Sequence, residues 1–148
     1  MSKRYSYERL VHWGECDPAG IIFFPNYARW MVEGLNAFLL DLGFDPHGGI
    51  SEMSIGGLPA VRSTFEYSAP AYLHARVVHA IEVKSLGAKS LTFAHTISQG
   101  EKILAKAEDV RVWVEFEPGG KIQSRAIPER LRALLAPYVA MPAVADHP

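Results

Sequence analysis

Between Pro25 and Leu40 the chain carries only two charged residues, Arg29 and Glu33. Tyr27, Trp30, Met31, Leu35, Phe38 and Leu42 recur at three- and four-residue spacings, the period of one helical face. Ala28, Val32 and Leu39 widen that face until most of the circumference is apolar. Pro25 suits a first turn, where its fixed φ matches the helix and its missing N–H costs nothing, and Gly43 supplies a stop. A helix this apolar must be covered on most of its sides.

The cover follows in the sequence. Beyond Leu58 the period drops to two. Val77, His79, Ile81 and Val83 alternate against Arg76, Val78, Glu82 and Lys84. Leu91, Phe93, His95 and Ile97 form a second such row, and Val110, Val112, Val114 and Phe116 a third. Pro59 to Tyr67 is extended in the same way, and Ser6 to His12 reads as a first strand. Glu117-Pro118-Gly119-Gly120 predicts a hairpin turn into a short strand, Lys121 to Ala126. Pro128 to Ala136 predicts a short amphipathic helix, and the segment 139–148 a frayed tail. Strands joined by short turns pair antiparallel, so the expected class is α+β: one domain, 1–148, with an antiparallel sheet wrapped around one long helix.

Composition narrows the function. Hydrophobic residues at 49% against 21% charged exclude a disordered chain, and a net charge of −1 argues against nucleic-acid and polybasic membrane surfaces. The single cysteine, Cys16, cannot build a disulfide framework or a thiolate metal cage. No apolar stretch follows the basic residues near Met1, and the uncharged run 134–145 is short and broken by Pro137 and Pro142. The expectation is a cytoplasmic protein that binds no membrane and needs no metal or cofactor.

Several familiar sites are absent. Ser51 and Ser54 lie near glycines but not in a G-x-S-x-G elbow, and His47-Gly48-Gly49 lacks a serine to serve. No G-x-G-x-x-G, Walker A or H-E-x-x-H pattern occurs. His74 and His79, five apart on one predicted strand, would face opposite ways, whereas His79 and His95 share a sheet face and read as core or surface residues rather than metal ligands. Cys16 has only His12 near it and reads as no nucleophile. Glu33, more than two turns into the helix, reads as a surface or interface charge.

Chemistry concentrates in Trp13 to Trp30, W-G-E-C-D-P-A-G-I-I-F-F-P-N-Y-A-R-W. Asp17 sits in a turn just upstream of a helix that starts near Phe24-Pro25-Asn26. Unpaired N–H groups and the positive end of the dipole gather at such a start, and a carbonyl oxygen that becomes negative in a transition state is stabilised there. One donor of that kind contributes on the order of 3 kcal/mol in acyl transfer. A carboxylate beside it attacks the carbonyl or deprotonates a water.

This stretch resembles the hot-dog-fold acyl-CoA thioesterases, specifically the 4-hydroxybenzoyl-CoA thioesterase family of the Pseudomonas type. The shared pattern is G-[DE]-C-D-P-A-G-I followed by aromatic residues and P-N-Y-x-R-W, matched by Gly14 to Trp30. Looser matches at Lys89-Ser90, Glu108 to Val112 and Arg125 to Pro128 carry it over nearly the whole chain. The resemblance implies a hot-dog fold and thioester hydrolysis of an aromatic or compact acyl-CoA, with CoA entering as part of the substrate. It implies that Asp17 is the catalytic carboxylate, as nucleophile or base, and that the backbone N–H of Phe24 polarises the carbonyl. Asn26 and Tyr27 shape the site.

Lys89, Ser90 and Arg125 are the residues implied for CoA binding, with Arg111 ranked below them because a carboxylate can claim it. Val32 stands where the 4-hydroxybenzoyl enzyme has an acidic residue near the ring hydroxyl, so an apolar pocket favouring benzoyl-like, other aryl or medium acyl groups is the expectation. Dimers with active sites at the subunit interface, often paired into tetramers, are also implied. A hot-dog dehydratase or hydratase and a non-catalytic acyl-CoA-binding module stand as alternatives. The first lacks a histidine near the helix start other than His12, and the second leaves the Asp17 motif unexplained.

Overall fold

In the computed structural model, which describes residues 2–44 and 56–140, the long helix α1 (Asn26–Asp41) lies against one face of a five-stranded antiparallel sheet. The strands are β1 (Tyr5–Leu10), β3 (Ala60–Tyr67), β4 (Arg76–Leu86), β5 (Ser90–Gln99) and β6 (Lys102–Val112), in the order β1-β4-β5-β6-β3. A smaller sheet joins β2 (Gly56–Gly57), β7 (Val114–Phe116) and β8 (Ile122–Ser124), and a short helix α2 (Glu129–Leu135) follows. None of the described helices is long and apolar enough to cross a membrane. His47, Gly48, Gly49, Ser51, Ser54 and the chain from residue 141 lie outside the described residues.

The period-two rows behave as their pattern requires. Val77, His79, Ile81 and Val83 are all fully buried toward α1, as are Leu91, Phe93, His95 and Ile97 beside them. The helix contributes Tyr27, Trp30, Met31, Gly34, Leu35, Phe38 and Leu39 to the same core. Ala28, Val32, Glu33, Asn36 and Leu40 remain exposed along its outer side. The cover is therefore less complete than the helix's composition predicts.

Three elements differ from the sequence reading. The predicted strand across residues 109–116 is two strands, broken at Trp113, whose N–H donates to Lys89 O and whose carbonyl accepts from Arg125 N. These bonds turn the chain from the large sheet into the small one. β6 begins at Lys102, well before the predicted start, because Ala105 and Ala107 bury little and leave no apolar alternation to read. The last strand is shorter than predicted, Ile122–Ser124. His74 also sits outside the strands, in the turn before β4, with a left-handed backbone (φ 69°) and its N–H donated to Val11 O.

The apolar core falls into two clusters. One packs the second half of α1 with Ile81, Phe93, Trp113, Leu131 and Leu135; the other packs its first half with Val11, Ile22, Val77, Ile97 and Leu104. Gly34 marks the seam between them. A Cβ there would collide with the His79 ring and come within 2.9 Å of the Tyr7 hydroxyl, so only glycine lets the helix approach this closely. We expect Gly34→Ala to destabilise the fold by about 1–3 kcal/mol, the cost of overpacking a tight core. Urea denaturation checks this, and an unchanged midpoint would mean that helix and sheet are not in tight contact at the seam.

Candidate active site

The loop before α1 is a small hairpin built on backbone bonds. Asp17 N–H donates to Ile21 O, Gly20 N–H to Asp17 O, and Phe23 N–H to Glu15 O. Pro18-Ala19-Gly20 forms the three-residue tip, and Gly20 takes the positive φ of 78° that closes it. The Asp17 carboxylate accepts the Ala19 N–H on Oδ1 at 2.8 Å, which fixes its orientation and leaves Oδ2 open. Glu15 ties this hairpin to the helix. Its Oε2 accepts from Trp30 Nε1 at 2.6 Å, its carbonyl from Asn26 Nδ2 at 2.8 Å, and its Oε1 from the His12 N–H. The sequence reading assigned no role to Glu15, although it lies inside the motif.

At the helix start, the N–H groups of Asn26, Tyr27 and Ala28 donate to the carbonyls of Phe23, Phe24 and Pro25. Pro25 has none to give. That leaves Phe24 N–H without an acceptor among the described residues, at the positive end of α1 and within the same hairpin–helix unit as Asp17. A cleft lined by Ile21, Ile22, Phe24, Tyr27, Tyr67, Ser68, Ala69 and Pro70 opens here. Phe24 meets Tyr67 edge-on at 6.3 Å, Tyr27 lies 5.3 Å from Tyr67, and Phe65 stacks on Tyr67 at 6.3 Å. Burial pushes the Tyr27 phenol up to about 12, so it stays a neutral wall of the cleft.

The other site residues lie elsewhere. Lys89 and Ser90 are exposed on the β4–β5 turn, and Arg125 is joined to them through the backbone of Trp113. The structure brings these three together, but at the opposite end of the sheet from Asp17. The eleven residues of β4 separate the two ends by about 35 Å. Arg125 is already paired with Glu117 at 2.5 Å, and Arg111 with the buried Asp109 at 2.8 Å. Lys89 has no ion-pair partner among the described residues. Val32 is 53% exposed on the outer side of α1 and does not line the cleft at Phe24.

Glu33 is held by Arg9 at 2.7 Å and Arg29 at 3.1 Å, and the Arg9 hydrogen bond keeps its carboxyl below the usual range. The Cys16 thiol is pushed up, by desolvation first and then by the charges of Glu15 and Asp17, which makes it a weak nucleophile.

Spacing alone did not reveal a chain of buried polar groups that crosses the sheet under Gly34. Arg9 Nη1 donates to the Tyr7 hydroxyl at 3.2 Å, and Tyr7 Oη lies 3.0 Å from His79 Nδ1. His79 Nε2 lies 2.9 Å from His95 Nδ1, and His95 Nε2 lies 3.7 Å from Asp109 Oδ2. The residues are direct or diagonal cross-strand neighbours, since Tyr7 pairs with His79, Ile81 with His95, and Phe93 with Asp109. The Tyr7 hydroxyl and the two imidazole rings form a continuous run of hydrogen bonds, in which each ring nitrogen donates or accepts according to its tautomer. Burial, then His95 and Arg9, push His79 down to about 3. Burial also lowers His95, against a raising effect from Asp109. Among the described residues, no cluster of three or more His, Cys, Asp or Glu could hold a metal.

Against known proteins, residues 11–135 match the family described as the thioesterase-like superfamily. A 4-hydroxybenzoyl-CoA thioesterase of Pseudomonas sp. (strain CBS-3) is 26% identical over 143 residues, spanning 93% of this chain and 94% of that protein. A 1,4-dihydroxy-2-naphthoyl-CoA hydrolase of Synechococcus elongatus is 23% identical over 128 residues, or 86% of this chain and 92% of that one. The solved structure of a gentisyl-coenzyme A thioesterase superposes with a TM-score of 0.76 at 31% identity, covering 86% of this chain and 99% of that one.

Proposed function

The chain belongs to the thioesterase-like superfamily, and from that premise we propose that it hydrolyses the thioester of acyl-CoA substrates carrying an aromatic or similarly compact acyl group. The observation that carries this reading is the open Phe24 N–H at the mouth of α1, with the free Oδ2 of Asp17 on the same hairpin and an aromatic-walled cleft in front. The thioester oxygen takes the Phe24 N–H, and the negative charge that develops on it is stabilised by that donor and the helix dipole. Asp17 Oδ2 either accepts a proton from a water that adds to the carbonyl carbon or adds itself, forming an anhydride that water then opens. Both routes expel CoA thiolate, which takes up the proton. The named relatives, acting on hydroxybenzoyl, dihydroxynaphthoyl and gentisyl thioesters, support an aromatic acyl group.

The experiment is thiol release from a panel of aryl- and alkyl-acyl-CoAs. Turnover of aryl-CoA above the alkyl members supports the reading, and no turnover of any member sinks it.

We also propose a homo-oligomer as the working form. β3 is an eight-residue edge strand, paired among the described residues with β6 alone and mostly exposed. Such an edge is a template for pairing with a second copy. Antiparallel pairing of two β3 edges about a two-fold axis sets the Tyr67 end of one against the Ala60 end of the other. The Asp17 hairpin of one copy then lies toward the Lys89–Arg125 corner of its partner, and the exposed row of Val32 and Leu40 gains a cover. A CoA bound across that junction reaches both. Hydrogen exchange should find slow amides on both flanks of β3; fast exchange at every second residue would mean that the edge stays open.

A further inference from the structure

Three parts of the chain meet on Glu15, which closes a single 3₁₀ turn, Trp13–Glu15, between β1 and the Asp17 hairpin. Its carboxylate takes a different donor on each oxygen. Oε1 accepts the His12 N–H at 2.9 Å, just past the end of β1, and Oε2 the Trp30 indole N–H at 2.6 Å, from the second turn of α1. Its carbonyl takes two more, the Phe23 N–H at 2.9 Å and Asn26 Nδ2 at 2.8 Å. Arg9, on β1, brings the opposite charge: Nη2 stands 3.7 Å from Oε2, and the guanidinium lies 4.7 Å over the Trp30 ring. Among the described residues, both side-chain hydrogen bonds that join the segment 13–24 to α1 end on Glu15.

The thioesterase reading needs two groups in fixed relation, the Asp17 carboxylate and the Phe24 N–H. Phe24 is continuous with the start of α1, whereas Asp17 reaches that start only through the hairpin. The hairpin's other outward bonds, Ile22 N–H to Ala71 O and Leu73 N–H to Gly20 O, tie it to the segment 71–73 and not to the helix. Apolar contact is non-directional and sets no register between hairpin and helix. Glu15 sets it, because it precedes Asp17 by two residues and holds Phe23, Asn26 and Trp30 directly.

We propose that Glu15 is the positioning residue of the site, holding the Asp17 carboxylate in register with the Phe24 N–H across the start of α1. It does not act on the substrate, since both of its oxygens already accept from the protein. The role rests on the thioesterase reading, and it accounts for Glu15, Asn26 and Trp30, motif residues that take no part in the bond-making steps. The geometric demand is steep, because a displacement of about 1 Å at the reacting atoms costs about 10²-fold in rate. A glutamine at position 15 has one acceptor oxygen for two donors, so its NH₂ group faces either the Trp30 or the His12 N–H. Arg9 also loses one of its two carboxylate partners, keeping only Glu33.

The test measures thiol release from the best aryl-CoA substrate for Glu15→Gln in two backgrounds, wild type and Asp17→Asn. In wild type the substitution should lower kcat by about 10–10²-fold and change KM less than about threefold. In Asp17→Asn, which has no carboxylate left to position, the same substitution should cost less than about threefold. A role confined to stability removes the same fraction of active enzyme in both backgrounds. Equal losses therefore overturn the proposal, as does full activity of Glu15→Gln. Asn26→Ala removes a partner from the Glu15 carbonyl and keeps the carboxylate, and it should repeat the pattern with a smaller loss. Should Glu15→Gln fail to fold, the two-background comparison is made on Asn26→Ala, and equal losses there overturn the proposal as well. A wild type that hydrolyses no acyl-CoA removes the thioesterase reading and this role with it. A wild type that hydrolyses them, with equal losses in the two backgrounds, keeps the reading and removes the role.

Discussion

Asp17→Asn should cut thioester turnover by about 10²–10⁴-fold, the range expected when a general base is removed, while the fold and substrate affinity stay close to wild type. The separation is possible because the two oxygens of Asp17 have different tasks. Oδ1 accepts the Ala19 N–H and closes the hairpin tip, and an asparagine oxygen does the same. Oδ2 has no partner among the described residues, and there the substitution replaces a base or nucleophile with an amide that is neither. The loss should therefore fall on kcat with little change in KM, read by thiol release and supported by an unchanged melting temperature. Phe24→Ala is the matched control. It removes an exposed aromatic lip but keeps the backbone N–H, so its effect should be far smaller. Full activity in Asp17→Asn would mean that another group activates water.

Stability should fall as pH drops from about 6.5 toward 4, before most carboxylates titrate. His79 has an unfolded-state value near 6.5 and is pushed down to about 3 in the fold. Between those values the unfolded chain binds a proton that the folded one refuses, so stability is complete above 6.5 and is lost progressively below it. One such group contributes a slope of about 1.4 kcal/mol per pH unit at most. His95 is shifted in the same direction, and Glu33, held down by Arg9, adds a further loss only in stronger acid. The physical cause is burial, which strips a charged imidazole of its hydration, reinforced by His95 and by the positive charge of Arg9. Urea midpoints at pH 7, 6, 5 and 4.5 check this. A flat profile down to pH 5 would show that His79 is not held neutral and buried.

Much of the molecule was legible before any coordinates. α1, the paired rows of β4 and β5, the short α2 and the Asp17–Phe24 motif each carry their signal locally, in spacing or in consecutive residues. What escaped is equally instructive. β2 is two glycines, Gly56 and Gly57, placed because the Trp113 ring lies where a Gly56 Cβ would be; glycines have no side chain to display a period. β6 was half missed because alanine marks neither face of a strand. The break at Trp113 interrupts an unbroken apolar alternation and is imposed by hydrogen bonds from two other segments.

The sequence by itself determined the long helix, most of the strands, the α+β class and the turn that carries Asp17, since turn geometry, capping and hydrophobic period act between residues close along the chain. It also placed His79 and His95 on one face. Only the tertiary structure decided that Tyr7, His79, His95 and Asp109 line up under Gly34, that Glu15 anchors the hairpin, and that Lys89 and Arg125 stand at the far end from Asp17. Each of these depends on strand order and register, and register is chosen by the packing of whole faces against α1 rather than by any one segment.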